Sequence, residues 1–233
     1  MDTNKTNTKL AKVKAGINIT GSDNMELAQK KFDEFFLTLS MLNFDEITQG
    51  RYSVNFIIGL LNMFMHDIDI IRIINEIRHL EDPQNIDSYT KGATQFSHLP
   101  LKGLWHKHYL PGDIGSICQN IINGLNSKGG LKKVISTTCE DSGEEFFTPD
   151  LLSKLVNEVT EVPFSERSDQ KMITGEWIIY HVHENKNYYL AVECHSKGSD
   201  ENDLNTDQKI AEKIRLISKL EFPQFSGSLE IFN

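Results

Sequence analysis

The stretch Glu176-Trp177-Ile178-Ile179-Tyr180-His181-Val182-His183-Glu184-Asn185-Lys186-Asn187-Tyr188-Tyr189-Leu190-Ala191-Val192-Glu193-Cys194-His195 decides the fold. It reads as a β-hairpin turning at Asn185-Lys186, because Asn tolerates a positive φ. That turn pairs Glu184 with Asn187, His183 with Tyr188 and His181 with Leu190. Side chains alternate between faces along a strand. One face then carries Trp177, Ile179, His181, His183, Tyr188, Leu190, Val192 and Cys194. The other carries Ile178, Tyr180, Val182, Tyr189, Ala191, Glu193 and His195. Large apolar residues on both faces are the pattern of a strand covered on both sides.

Most of the covering material lies on the N-terminal side. Met25, Ala28, Phe32, Phe35, Phe36, Leu39 and Leu42 follow the three-and-four spacing of a buried helical stripe, and Asp23 can cap that helix. Residues 51–80 are the most apolar part of the chain and predict two buried helices with a bend at His66-Asp67-Ile68-Asp69. Glu81-Asp82-Pro83 stops the second, since Pro disfavours helix in the residue before it. Residues 83–112 read as a long connection, the kind of segment that is often functional. A helix follows over about 113–125, then a short strand over Lys133 to Thr138. Thr148-Pro149-Asp150 marks a helix start: a capping hydroxyl, Pro in the first turn and a carboxylate beside it. Ile210, Ile214 and Ile217 give a last helix from about Asp207 to Leu220. The expected fold is α+β, a helical N-terminal half packed on a small antiparallel sheet built around the 176–195 hairpin. Residues 1–22 read as a flexible basic tail and 23–233 as one α+β domain, with a sub-boundary near 83–100 as the alternative.

The net charge of −9 over 233 residues is unevenly spread. Residues 1–22 hold Lys5, Lys9, Lys12 and Lys14 against Asp2 alone, so everything after them is more acidic still. An acidic body is poorly suited to non-specific nucleic-acid binding, which takes Lys and Arg that displace counterions. It suits solubility or a basic protein partner. Cys118, Cys139 and Cys194 are odd in number and widely spaced, which argues against a disulfide framework and for a reducing cytoplasm. No run of about 20 apolar residues is present to span a membrane, and residues 1–22 lack the apolar centre of a signal peptide.

Histidine and carboxylate supply the candidate chemistry. His181 and His183 share a face and can share a ligand. His106 and His108, in Trp105-His106-Lys107-His108-Tyr109, form a second pair with the same spacing. Together the four would make a nitrogen site for a divalent metal such as zinc or manganese. On the opposite face Glu193 and His195 point the same way. This is similar to the strand of restriction-type nucleases that carries Glu-x-Lys, with His195 in place of the Lys and no Asp on the preceding strand. His181, His183, Glu193 and His195 are therefore the catalytic candidates. Arg72 and His79 resemble the Arg and His pair of HEPN-type ribonucleases, although Ile73 stands where that family is usually polar. No Gly-rich phosphate loop, nucleophile elbow or HExxH motif occurs.

Two function classes follow. The first is a cytosolic acidic interaction protein, immunity-type or regulatory, without a cofactor; its acidic loops at 140–150 and 198–207 would steer a basic protein partner. The second is a His-dependent or metal-dependent hydrolase or nuclease that uses the two HxH pairs. The absence of any complete catalytic motif favours the first.

Overall fold

The computed structural model describes residues 8–20, 24–193 and 201–233, with the backbone alone over 201–205. The fold is α+β, with a small antiparallel sheet built on the predicted hairpin. The chain divides into two compact units. The first holds residues 1–87, 93–109 and 176–233; the second holds residues 88–92 and 110–175.

The first unit is organised around the sheet. Its strands are β1 (Thr94–Gln95), β2 (Trp105–Tyr109), β3 (Glu176–His183) and β4 (Lys186–Glu193), antiparallel and in the order β1-β2-β3-β4. The predicted connection 83–112 therefore contains β1 and β2. Both belong to the sheet because Trp105-His106-Lys107-His108-Tyr109 lies in register against β3. The β3–β4 turn falls one residue earlier than predicted. Glu184 and Asn185 both adopt positive φ, 50° and 58°, and His183 faces Lys186. Two successive left-handed residues match the twist of a tight hairpin.

A bulge then corrects the predicted faces. Ile179 lies opposite Ala191 and Tyr180 opposite Tyr189, which leaves Leu190 as the extra residue. Such an insertion reverses the side-chain alternation beyond it. Tyr189 and Val192 consequently pack with Ile178 and Tyr180, while Leu190 and Ala191 pack with Trp177 and Ile179.

Helices cover the first face: α1 (Lys9–Gly16), α2 (Met25–Met41), α3 (Phe44–Thr48), α4 (Val54–Met65) and α5 (Ile70–Glu81). Phe35, Leu39, Phe56, Ile57, Leu60, Ile73 and Ile77 are fully buried there, each removal from water stabilising by about 1.5–3 kcal/mol. The predicted bend at 66–69 is the junction of α4 and α5, where Asp67 takes a positive φ and the Asp69 side chain accepts from Ile71 N. Arg51 donates to the Glu81 carboxylate, as does the Tyr189 hydroxyl, so the start of α4 is tied to the edge of β4. The opposite sheet face is covered by α10 (Glu201–Glu221) and two 3-10 turns, Pro223–Phe225 and Glu230–Phe232.

Residues 8–20 are not a tail. Lys9–Gly16 is helical, capped by Thr8, with Leu10 and Val13 in the core. Lys9 reaches the Tyr52 carbonyl and Glu221, and Lys14 pairs with Asp33 at 2.6 Å. The short apolar pattern Leu10–Val13 in a polar context hid this helix from the sequence reading. Asp23, the predicted cap of α2, lies outside the described residues; Asn24 caps α2 by accepting from Leu27 N.

The second unit is helical: α6 (Ile114–Ser127), α7 (Leu131–Ser142), α8 (Pro149–Val159) and α9 (Glu161–Asp169). The strand predicted over Lys133 to Thr138 is part of α7. β-Branched Val134, Ile135, Thr137 and Thr138 suggest a strand, but Val134 and Thr138, one turn apart, are the buried face of a helix. Thr148 caps α8 as predicted, accepting from Leu151 N at 3.2 Å. Buried Asn120 ties α6 to the end of the unit: its amide donates to the Thr174 carbonyl at 2.6 Å and accepts from Thr174 N at 2.9 Å. Gly124 lets α6 approach α9, since a Cβ there would meet Pro163 atoms at 2.7 Å. Thr90 bridges Ile173, closing the two ends of the unit on each other. In the first unit, β2 and β3 end level, Tyr109 opposite Glu176, so residues 110–175 depart from and return to one point of the sheet.

Candidate functional site

Pairing places His106 opposite Ile179 and His108 opposite Trp177, so both share a sheet face with His181 and His183. The pairs stay separate in their packing. His106 lies 4.5 Å from the Phe96 ring and 5.2 Å from Trp177. His181 packs edge-on against Phe225 at 4.8 Å and Phe232 at 5.1 Å, and His183 lies 5.3 Å from Phe225. Among the described residues no group of three or more His, Cys, Asp or Glu is placed to hold a metal ion.

The protonation state of His181 follows from its contacts. Its Nε2 lies 3.4 Å from Ser228 Oγ, whose own proton goes to the Phe225 carbonyl at 2.7 Å. Nε2–H is therefore the donor, and Nδ1 carries a lone pair. That Nδ1 is buried and has no hydrogen-bond partner. Burial, and secondarily the charge of His183, lowers the His181 pKa to about 4. The ring is a neutral component of the aromatic layer at neutral pH, and among the described residues no carboxylate hydrogen-bonds it as an acid–base relay would require.

The remaining candidates are dispersed. Glu193 lies opposite Trp177, on the histidine-bearing face and not the reverse one, because of the bulge. Its carboxylate meets Lys213 at 3.2 Å. His195 and Cys194 lie outside the described residues, so no geometry attaches to the Glu193–His195 pairing. Arg72 is held by Asp69 at 3.5 Å. His79 donates through Nδ1 to the Ile86 carbonyl at 2.6 Å.

The second unit presents a different surface. Glu140, Asp141, Glu144, Glu145 and Asp150 occur in one run that contains no Lys, Arg or His. All five are exposed. Between them Phe146 and Phe147 are 79% and 68% exposed. The loop that holds them is tied at both ends. Gly143 closes α7 with φ 65°, and its N–H donates to the Glu140 carbonyl. Ser142 Oγ accepts from Glu144 N, and the Thr148 hydroxyl donates to the Glu144 carboxylate. Phe147 is the residue before the cap of α8 and Leu152 is four residues into that helix, positions that meet in a hydrophobic staple. Leu152 and Val156, a further turn along, are both half exposed or more. A loop held by such bonds at its ends loses less conformational entropy on binding than a free one. The sequence reading found the carboxylates but not the rings; the signal was two adjacent Phe inside an acidic run. Of the second predicted acidic loop, residues 198–200 lie outside the described residues, and 201–207 begin α10.

No helix among the described residues is long and apolar enough to cross a membrane. Compared with family models, with curated proteins and with solved structures, the chain finds no match.

Proposed function

We propose that this chain is an interaction protein, regulatory or immunity-type, that binds a basic protein partner in the cytoplasm. The partner site is the segment Glu140–Asp150 with the outer face of α8. One observation carries the reading: two exposed phenylalanines and two exposed carboxylates, Glu144 and Glu145, share a loop capped at both ends, with exposed Glu140, Asp141 and Asp150 in the helices that flank it. Carboxylates draw a cationic partner in and set its register, while buried aromatic anchors supply most of the affinity. The first unit then serves as the folded base.

The test is affinity capture from lysate of the native cell with the intact chain and two variants, Phe146→Ser with Phe147→Ser, and Glu144→Lys with Glu145→Lys. A basic protein retained in stoichiometric amount by the wild type, released by salt and lost from both variants, is the expected result. Equal retention by all three chains overturns it. Zinc or manganese at one ion per purified chain, lost in His183→Ala, would favour a metal-dependent hydrolase built on His106, His108, His181 and His183.

A further inference from the structure

The chain itself carries a basic amphipathic helix face. In α10, Ile210, Ala211 and Ile214 turn inward and are buried. Lys209, Lys213, Leu216 and Leu220 line the outer side at spacings of four, three and four residues, one stripe of a helix, with exposed Glu212 at its border. Leu216 and Leu220 are 69% and 81% exposed. Among the described residues this stripe is engaged by the exposed pair of Lys213 with Glu193, of a class that contributes little. Elsewhere in the first unit, Lys9 and Lys14 are engaged with Glu221 and Asp33.

We infer that a second copy of this chain docks the outer face of α10 onto the Glu140–Asp150 segment and α8. The inference rests on reading that segment as a receptor for basic amphipathic partners, and names one such partner. The two faces match in charge and in order. On the acidic segment Glu144 and Glu145 precede α8, Asp150 lies in its first turn, and Leu152 and Val156 follow. On α10 Lys209 and Lys213 come first and Leu216 and Leu220 follow. A parallel alignment sets lysines on carboxylates and leucines on Leu152 and Val156, along a stripe of about 16 Å from Lys209 to Leu220.

Two features make the contact weak. Each copy carries a net charge of −9, so the bodies repel while the local patches attract. The stripe is also narrower than the interfaces that hold permanent dimers. One face of one copy meets a different face of the next, so association extends with concentration unless it closes into a ring. Self-association would occupy the partner site and be displaced by any tighter basic ligand.

Sedimentation equilibrium of the full chain, at low salt and rising concentration, tests this. The average mass should rise above the monomer value with concentration and return towards it when salt is added. Lys209→Glu with Lys213→Glu, and separately Glu144→Lys with Glu145→Lys, should each lower the association constant at least about tenfold. Combining both sets in one chain should restore association, because the charges are exchanged and not removed. All four sites are exposed, and circular dichroism checks that each variant keeps its helices. A wild type that stays monomeric, association that ignores either charge reversal, or a combined variant that stays monomeric overturns the inference. If the wild type is monomeric yet still retains a basic protein that Glu144→Lys with Glu145→Lys releases, the partner reading stands and only the self-docking falls. If that variant leaves partner retention unchanged, the reading beneath it falls as well.

Discussion

The two units spend their apolar residues in opposite ways. In the first, both faces of the sheet are covered, and the exposed apolar residues Leu37, Met41, Leu216 and Leu220 lie on helices outside that core. In the second, the buried apolar set is short: Leu110, Leu125, Val134, Leu151, Leu155 and Ile173. Against it stand Ile114, Leu131, Phe146, Phe147, Leu152 and Val156, all half exposed or more. Scattered exposed apolar residues are ordinary, but a concentration of them beside charge marks an interaction surface. The contrast is one of burial: the first unit holds most of the buried apolar residues, and the second carries the exposed pair Phe146 and Phe147 beside carboxylates.

The largest expected effect that would break this contrast lies in the first unit. Lys107 and Glu76 form an ion pair at 3.0 Å with both side chains buried. Lys107→Met should cost about 3–5 kcal/mol, because it strands a buried carboxylate. Adding Glu76→Leu should recover most of that loss in urea unfolding. A single variant as stable as the wild type would mean the pair does not hold α5 to the sheet.

The next effect is a pH dependence confined to the same unit. His181 has its pKa lowered to about 4, against about 6.5 in the unfolded chain. Between those values the unfolded state binds more protons, so stability falls as pH drops below about 6.5 and levels off near 4. The loss is at most about 3 kcal/mol. Comparing melting from pH 7.5 to 4.5 in the wild type and His181→Gln isolates it; an equally steep slope in the variant would assign the dependence to other groups.

The smallest effect belongs to the second unit. Gly124→Ala forces a Cβ against Pro163 and should cost about 1–3 kcal/mol. Hydrogen exchange should then quicken in α6 and α9 while β3 and β4 stay protected. Exchange that quickened equally in β3 and β4 would mean the units do not unfold separately.

How far the molecule is legible from its sequence depends on what each signal measures. The hairpin, the α4–α5 junction and the start of α8 are local: alternation, a polar break and a Thr-Pro-Asp cap carry them. The bulge at Leu190 is not local, since no Gly or Pro marks it, and it alone moves Glu193 across the sheet. α7 contradicts its own β-branched propensity because Val134 and Thr138 find partners one helical turn apart. β2 is invisible by periodicity, because Lys107 sits in the core and its compensation, Glu76, lies on a distant helix. For the candidate site, the carboxylate run is plain in composition. Exposure of Phe146 and Phe147 is not, since adjacent phenylalanines ordinarily read as core.

The level ends of β2 and β3 give residues 110–175, the larger part of the second unit, the standing of an insert. Tyr109 faces Glu176 across the ladder, the geometry of a hairpin whose turn has been replaced by residues 110–175. Lengthening a closed loop adds cost only logarithmically. The sheet register is set by its two packed faces and not by that connection. A two-residue Asn-Gly turn would span the same gap between the strands, at the cost of the pairing of Thr90 and Lys91 with Ile173.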